Sequence, residues 1–550
     1  MDFIDNLFGT FEKANFVEIH LSGEISEEEE KSLLPTIGAK KKLTLWDIEK
    51  IFSGIERSPR VKGVVVKIRD LKVGFARANL IRARLSELRA GGKKILVYLE
   101  SGGNIEYLIA SAADMIYTPP WATINLIGLK AEITFYKDTL DKIGVMAHMK
   151  GFGEFKSASE TFTRNSMSKP HNEMINSIIG DLEEQLEHCI SEGRGIKSDE
   201  VKNLINNGPY LPEKAKEASL VDGIIYESDI EEEASKFSGI KLNVIPGGNF
   251  LRRLNIKDKL RSVAGKFNSH YPHLAIIADS GMITLGNSKG SGPVKSMGSE
   301  SLIKLLDRVS SNRNIKGIIL RVLSPGGSAL ASDLICKKLE DISQKMPVII
   351  SMSDVAASGG YLISLGAHKI VADSMTITGS IGVVSGKFDL SGLYKKLGIS
   401  KQYVLQAKNA LMYSPGKGFS KDEEKKLLEI MEFYYERFVG RVSISRKMEF
   451  EKAEEVSRGR VWTGKQAKDL GLIDEVGGIN TAVQIAKDQA GITDDRSCVV
   501  KYYSEPRGLQ FSSMLRNSSL INQFAQILDN ISSLEREQVL TIMPFDINPK

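Results

Sequence analysis

Cysteine is scarce in this sequence. Only Cys189, Cys336 and Cys498 occur in 550 residues, far apart. That excludes a disulfide scaffold and a CxxC metal site, and it suits a reducing compartment or simple indifference to redox. Excess charge is missing too: 74 basic residues stand against 69 acidic ones. The near balance leaves no electrostatic footprint for nucleic acid. No run approaches the ~18 apolar residues of a membrane span. The longest uncharged stretch, Met115 to Leu129, is interrupted by Pro119-Pro120 and Asn125. The opening Met1-Asp2-Phe3-Ile4-Asp5-Asn6 lacks a basic segment leading into an apolar one, so no cleavable signal is visible. The expectation is a soluble, cytoplasmic or peripheral protein. Glycine and proline, at 49 and 16 residues, are too few for a collagen-like or low-complexity chain.

What is present is ordinary globular material, 42% hydrophobic and 26% charged. At ~150 residues per domain the length allows three or four units. An internal repeat narrows this. Lys62-Gly63-Val64-Val65-Val66-Lys67-Ile68 matches Lys316-Gly317-Ile318-Ile319-Leu320-Arg321-Val322, 254 positions later. The same offset carries Tyr107-Leu108-Ile109 onto Tyr361-Leu362-Ile363, Ile127-Gly128 onto Ile381-Gly382, and Lys142-Ile143-Gly144 onto Lys396-Leu397-Gly398. Register held across four separated blocks indicates duplication. The expected organisation is a first repeat over 1–250, a basic linker over 251–271, a second repeat over 272–505, and a helical tail over 506–550 with an amphipathic stretch at Leu515–Ile531.

Each repeat alternates apolar strands with helices. Val64–Ile68 and Ile318–Val322 read as buried strands. Helices are expected over Ala78–Leu88 and Leu330–Ser343, then strands over Ile95–Leu99 and Val348–Met352, and helices over Tyr107–Ala112 and Gly360–Leu365. This is the pattern of parallel βαβ units, whose functional loops lie at strand C-termini. The charged helical regions near 168–206 and 421–456 are expected to cover the fold or pack between subunits.

The repeats differ where chemistry would lie. The second has Ser324-Pro325-Gly326-Gly327-Ser328 where the first has Asp70-Leu71-Lys72-Val73-Gly74. A Pro-Gly-Gly turn bares backbone N–H groups able to receive a developing negative oxygen. The second also has Ala357-Ser358-Gly359-Gly360, a serine among small residues where a strand meets a helix, with the Gly359 N–H as a further donor. Asn104 stands at the Ser358 position in the first repeat.

A serine hydroxyl needs a base. Of the seven histidines, His368 is nearest in sequence but falls at the far end of the following helix, and the Thr376–Val384 loop holds none. A distant histidine folding in stays open, but a lysine is the alternative. Lys156, in Gly153-Glu154-Phe155-Lys156-Ser157-Ala158-Ser159-Glu160, sits among small residues and a phenylalanine, and Ala410 takes its place in the second repeat. One Ser-Lys site made from both repeats would explain why both persist.

Taken together, the Ser324–Ser328 turn, Ala356-Ala357-Ser358-Gly359-Gly360-Tyr361, Thr378-Gly379-Ser380-Ile381-Gly382, and Phe155-Lys156-Ser157-Ala158 followed by Phe162-Thr163-Arg164-Asn165-Ser166-Met167-Ser168 resemble the signal peptide peptidase A (protease IV) family in its long, double-domain form. The resemblance implies tandem ClpP/crotonase-like domains and a serine endopeptidase with a Ser-Lys dyad, acting on signal peptides and other short or unfolded peptides. It implies Ser358 as nucleophile, Lys156 as general base, Ser380 as the hydrogen-bonding partner of the lysine, and N–H groups of Gly359 and of Gly326 or Gly327 as oxyanion hole. It further implies a homotetramer, peripheral contact with a membrane, and no metal or cofactor. Family members commonly carry a membrane anchor at the N-terminus, and none is visible here. The competing readings are a crotonase-like acyl-CoA hydratase or thioesterase, with Asp354 or Asp333 as carboxylate base, and a non-catalytic oligomeric scaffold.

Overall fold

A computed structural model of the chain describes residues 14–27, 43–264, 272–290, 295–493, 498–504 and 539–543. The amphipathic stretch Leu515–Ile531 lies outside them. The described chain separates into two compact units. One contains the described residues between 14 and 130 and between 179 and 264; the other contains 131–178 and the described residues between 272 and 543.

The first unit is built on a parallel sheet. Its strands follow the order Gly223–Ile224, Met115–Thr118, Lys94–Ser101, Gly63–Lys72, Phe16–Glu24 and Val244–Pro246. β-Branched runs such as Val64-Val65-Val66 form its centre because both faces are covered, and all three side chains are buried. The basic stretch expected as a linker is helical over Gly247–Ala264 and buries Phe250 and Leu251.

The second unit repeats that sheet. Its parallel strands run Glu475–Val476, Lys369–Ala372, Val348–Ala357, Ile315–Ser324, His273–Ser280 and Val499–Tyr503. Each occupies the place of the first-unit strand roughly 254 positions earlier, so the duplication extends well beyond the four sequence blocks. Ile377–Gly379 pairs beside the far end of Val348–Ala357, and Val461–Thr463 closes that edge antiparallel. Ser328 caps the helix Ala329–Ser343, its Oγ accepting from Ala331 N–H. The helical regions anticipated near 168–206 and 421–456 resolve into Lys169–Arg194, Ser198–Asn206, Lys421–Arg446 and Phe450–Ser457.

A second sheet in this unit has no described counterpart in the first. Its order is Ser296–Gly298, Met282–Thr284, Gly326–Ser328, Val539–Ile542, Val383–Asp389 and Met146–Phe152. The last strand comes from the first repeat in sequence yet belongs to the second compact unit, since it pairs antiparallel with Val383–Asp389 along its whole length. Repeat boundary and compact-unit boundary therefore differ: residues 131–178 pack with the second repeat. No described helix is long and apolar enough to cross a membrane.

Candidate active site

Three chain segments of the second unit deliver the site. The first is the junction where strand Val348–Ala357 gives way to helix Gly359–Ser364. Ser358 occupies the turn with φ 54° and ψ −111°, a conformation sparsely populated by residues with a Cβ. Such geometry costs on the order of 1–3 kcal/mol and persists only where surroundings enforce it. Here the Ser358 N–H donates to Gly379 O at 2.7 Å, and its carbonyl accepts from Leu362 N–H at 2.8 Å. These two bonds fix the backbone on either side of Ser358, whose hydroxyl does not cap the helix it precedes. Directly behind it, the Gly359 N–H opens the helix, where no intrahelical acceptor exists.

The second segment carries Lys156. After strand Met146–Phe152 the chain turns through Gly153 and enters a short helical stretch, Ser157–Ser159. Lys156 is 3% exposed. Its walls are made by backbone: a Cβ on Gly459 would lie 2.6 Å from the Lys156 Cβ, and one on Gly151 would lie 2.1 Å from the Lys156 carbonyl oxygen. Glycine at these positions lets the turn at Gly459 and the strand at Gly151 lie directly against the lysine. Burial holds the amine well below the ordinary lysine range. No carboxylate opposes that shift, because desolvation is its sole cause.

The third segment is the turn at Ser380, also at positive φ, 51°. The Lys156 amine lies 2.8 Å from Ser358 Oγ, 2.7 Å from the Ser380 carbonyl oxygen and 3.0 Å from Ser380 Oγ. Both serines are fully buried.

Sequence reasoning missed the segment that holds these parts together. Phe155 N–H donates to Arg458 O, Gly459 N–H to Ile381 O, and Ser380 N–H to Arg460 O, at 2.7–2.8 Å. The Arg460 guanidinium stacks 4.7 Å from both Phe155 and Trp462 and donates to Glu173 at 2.7 Å. These bonds are made by main chain, so residue type gives no signal for them.

The Pro-Gly-Gly turn lies beside the serine. A Cβ on Gly360 would sit 2.8 Å from Ser324 O, so glycine permits that approach. Gly326 N–H donates to Ser324 Oγ at 3.2 Å. Gly327, at φ 155°, is forced to be glycine because a Cβ would strike Ile283 O at 2.0 Å. Of the other candidates, His368 accepts from Val348 N–H through Nδ1, Asp333 pairs with Arg441 at 2.8 Å, and Asp354 is buried on the strand Val348–Ala357 that leads to Ser358. Lys408, a lysine of the second repeat, is an exposed ion-pair partner of Asp422. Among the described residues Ser358 Oγ is bonded to neither a histidine nor a carboxylate. No group of metal-ligating side chains occurs among the described residues.

The first repeat keeps the shape of the site without its chemistry. Asn104, at the serine position, is buried, donates to Gly128 O at 2.8 Å and accepts from Ile127 N–H. The Glu106 carboxylate accepts from Leu71 N–H at 2.8 Å and from Gly103 N–H at 2.9 Å. The carboxylate thus ties down the turn that corresponds to Pro-Gly-Gly, through an N–H at the position where the second repeat has Pro325 and no donor.

The sequence matches the model of peptidase family S49 twice, over residues 87–241 and 340–493. The chain belongs to peptidase family S49. It is 33% identical over 500 residues to the chloroplastic serine protease SPPA of Arabidopsis thaliana, covering 90% of this chain and 72% of that one. It is 30% identical over 466 residues to Protease 4 of Haemophilus influenzae, covering 81% and 73%. Among solved structures, a ClpP1 variant from Listeria monocytogenes aligns with 40% of this chain and 99% of its own at 16% identity, with a TM-score of 0.25. S49 membership and these relatives make the chain a serine protease, a hydrolase of peptide bonds on a duplicated, mostly parallel α/β frame.

Proposed function

We propose that the protein is an endopeptidase of the signal peptide peptidase type, cleaving signal peptides and other short or unfolded peptides with Ser358 as nucleophile and Lys156 as general base. The observation that carries this reading is the 2.8 Å approach of the Lys156 amine to Ser358 Oγ, which has no other side-chain partner among the described residues. In sequence the first repeat supplies the lysine and the second supplies the serine and the oxyanion hole.

The chemistry follows from the geometry. A neutral amine has two N–H bonds and one lone pair. Donation to the Ser380 carbonyl and hydroxyl uses both N–H bonds and turns the lone pair toward Ser358. The lone pair takes the hydroxyl proton as Oγ attacks the peptide carbonyl. The new oxyanion is received by the Gly359 N–H and by the Pro-Gly-Gly turn, through Gly326 or Gly327; one such donor is worth about 3–4 kcal/mol. The ammonium of Lys156 then protonates the leaving amine, and water, deprotonated by the regenerated base, hydrolyses the acyl-enzyme. Holding the amine neutral costs ~1.4 kcal/mol for each pKa unit, and burial supplies that shift. No step calls for a metal or cofactor.

The proposed assembly is a homotetramer. Support comes from apolar side chains left on the surface of the second unit, including Leu397, Ile399 and Val404. Light scattering on the purified protein tests it.

The test of the site is acylation by a small serine-directed probe. Ser358 should be labelled in the native protein, and labelling should be lost in Lys156→Ala. Ser358→Ala should abolish hydrolysis with fold and assembly unchanged. Residual activity within tenfold of the native protein would defeat the assignment.

A further inference from the structure

The strand Val539–Ile542 lies where an extended substrate would lie. It pairs antiparallel with Gly326–Ser328, Ile542 opposite Gly326 and Leu540 opposite Ser328. On its other side Leu540 stands opposite Val384 and Val539 opposite Ser385. Met543 N–H donates to Pro325 O at 2.8 Å. Its two neighbours are therefore the strand leaving the Pro-Gly-Gly turn and the strand leaving the Ser380 turn, the two edges that flank Ser358. A peptide hydrolysed by Ser358 must bring its carbonyl to that same turn, and an extended peptide reaches such a site by adding as a strand to an open edge. With Val539–Ile542 in place, both edges are already paired.

The side chains fit the same account. Leu540 is buried in an apolar cluster with Val145 and Phe388, bordered by Met149 and Phe162. A leucine opposite Ser328 thus fills a ready-made apolar pocket.

We propose that Val539–Ile542 is a substrate mimic carried by the chain itself. It occupies the peptide slot, and peptides must displace it. The pocket of Val145 and Phe388 is the subsite in which a displacing peptide places a large apolar side chain. This rests on the reading of Ser358 as nucleophile. A tethered occupant lowers the apparent affinity for peptide by the fraction of time the slot is empty. It should not alter the reactivity of Ser358 once peptide is bound.

The experiment locks the strand. Antiparallel partners have Cβ atoms ~4.5–5.5 Å apart, close enough for a disulfide after small adjustment. In a full-length Cys498→Ser background, Val384→Cys/Leu540→Cys should form a bond that reduction reverses. Oxidised protein should hydrolyse a leucine-rich hexapeptide at least tenfold more slowly than the same protein after reduction. Equal rates within twofold, with the bond verified by mass, would overturn the proposal. As a complement, full-length Leu540→Asp should lower KM for the hexapeptide about tenfold with kcat unchanged; an unchanged or raised KM in a folded sample would count against the mimic. Binding of the fluorescent hexapeptide to Ser358→Ala protein carrying the same cysteine pair separates the two readings. If the acylating probe fails to label Ser358, the nucleophile assignment falls. Loss of peptide binding on oxidation would still support the strand as occupant, and unchanged binding would refute it.

Discussion

Lys156 and Ser380 are joined twice, the lysine amine donating to the Ser380 carbonyl at 2.7 Å and to its hydroxyl at 3.0 Å. The two contacts are unequal in what a mutation can reach. Ser380→Ala removes the hydroxyl and leaves the carbonyl, so the amine keeps one anchor. We expect kcat to fall by about tenfold to a hundredfold, consistent with one lost hydrogen bond of ~1–3 kcal/mol. Lys156→Ala should cost far more. Steady-state kinetics on both variants checks the order; equal losses would mean that the hydroxyl does more than orient the lysine.

The pH profile should report Lys156. Protonation at low pH occupies the lone pair, so activity rises with pH through one ionisation lying below the ~10.4 of a free lysine. Lys156→Arg should be inactive throughout, because arginine stays charged. The same shift bears on stability. With the native pKa depressed, the unfolded chain binds more protons between the native and free values, so the lysine's cost to stability is greatest at low pH and fades as pH rises toward ~10.4. Lys156→Met should therefore raise the melting temperature, with an advantage that narrows at alkaline pH. Calorimetry across the range would expose an amine that is charged in the fold, since the advantage would then not vary in this way.

Asn104→Ser should not give the first repeat an active site. Its turn has Leu71-Lys72-Val73 in place of Pro325-Gly326-Gly327 and is tied to Glu106, and among the described residues no lysine is bonded to Asn104. In Asn104→Ser/Ser358→Ala, hydrolysis should stay at background. Activity above it would show that the vestigial frame needs only a nucleophile.

Dividing the chain offers another check. Fragments 1–255 and 268–550 should each be inactive, and their mixture active. The second fragment lacks both Lys156 and the strand Met146–Phe152, which pairs along Val383–Asp389. Full activity from 268–550 alone would require a base from its own residues and would end the assignment of Lys156.

Much of the fold and the candidate site is legible in the order of residues alone. The strands at Val64–Ile68 and Ile318–Val322 announce themselves because a strand buried on both faces is a run of β-branched residues. Ser358 and Lys156 stand out because each has a non-equivalent residue at the matching place in the other repeat. The remainder belongs to the main chain. The positive φ of Ser358 and Ser380, the ties from Arg458, Gly459 and Arg460, and the pairing of Val539–Ile542 beside the Pro-Gly-Gly turn all depend on backbone placement across long separations. Side-chain periodicity carries no record of that. The grouping of residues 131–178 with the second repeat is hidden for the same reason: a duplication read by offset assigns residues to copies, while compactness follows strand pairing.

The lysine and the serine stand 202 positions apart, and the segment tied to Phe155, Ser380 and Ile381 comes later still, at Arg458–Thr463. A ribosome adds residues at about 5–20 per second, so some 15–60 s separate synthesis of the base from synthesis of its last support. Throughout that interval the emerging polypeptide holds a complete lysine motif and no means of using it. A protease whose proposed substrates include unfolded peptides is thereby kept harmless to its own nascent chain until nearly all of its frame has been made.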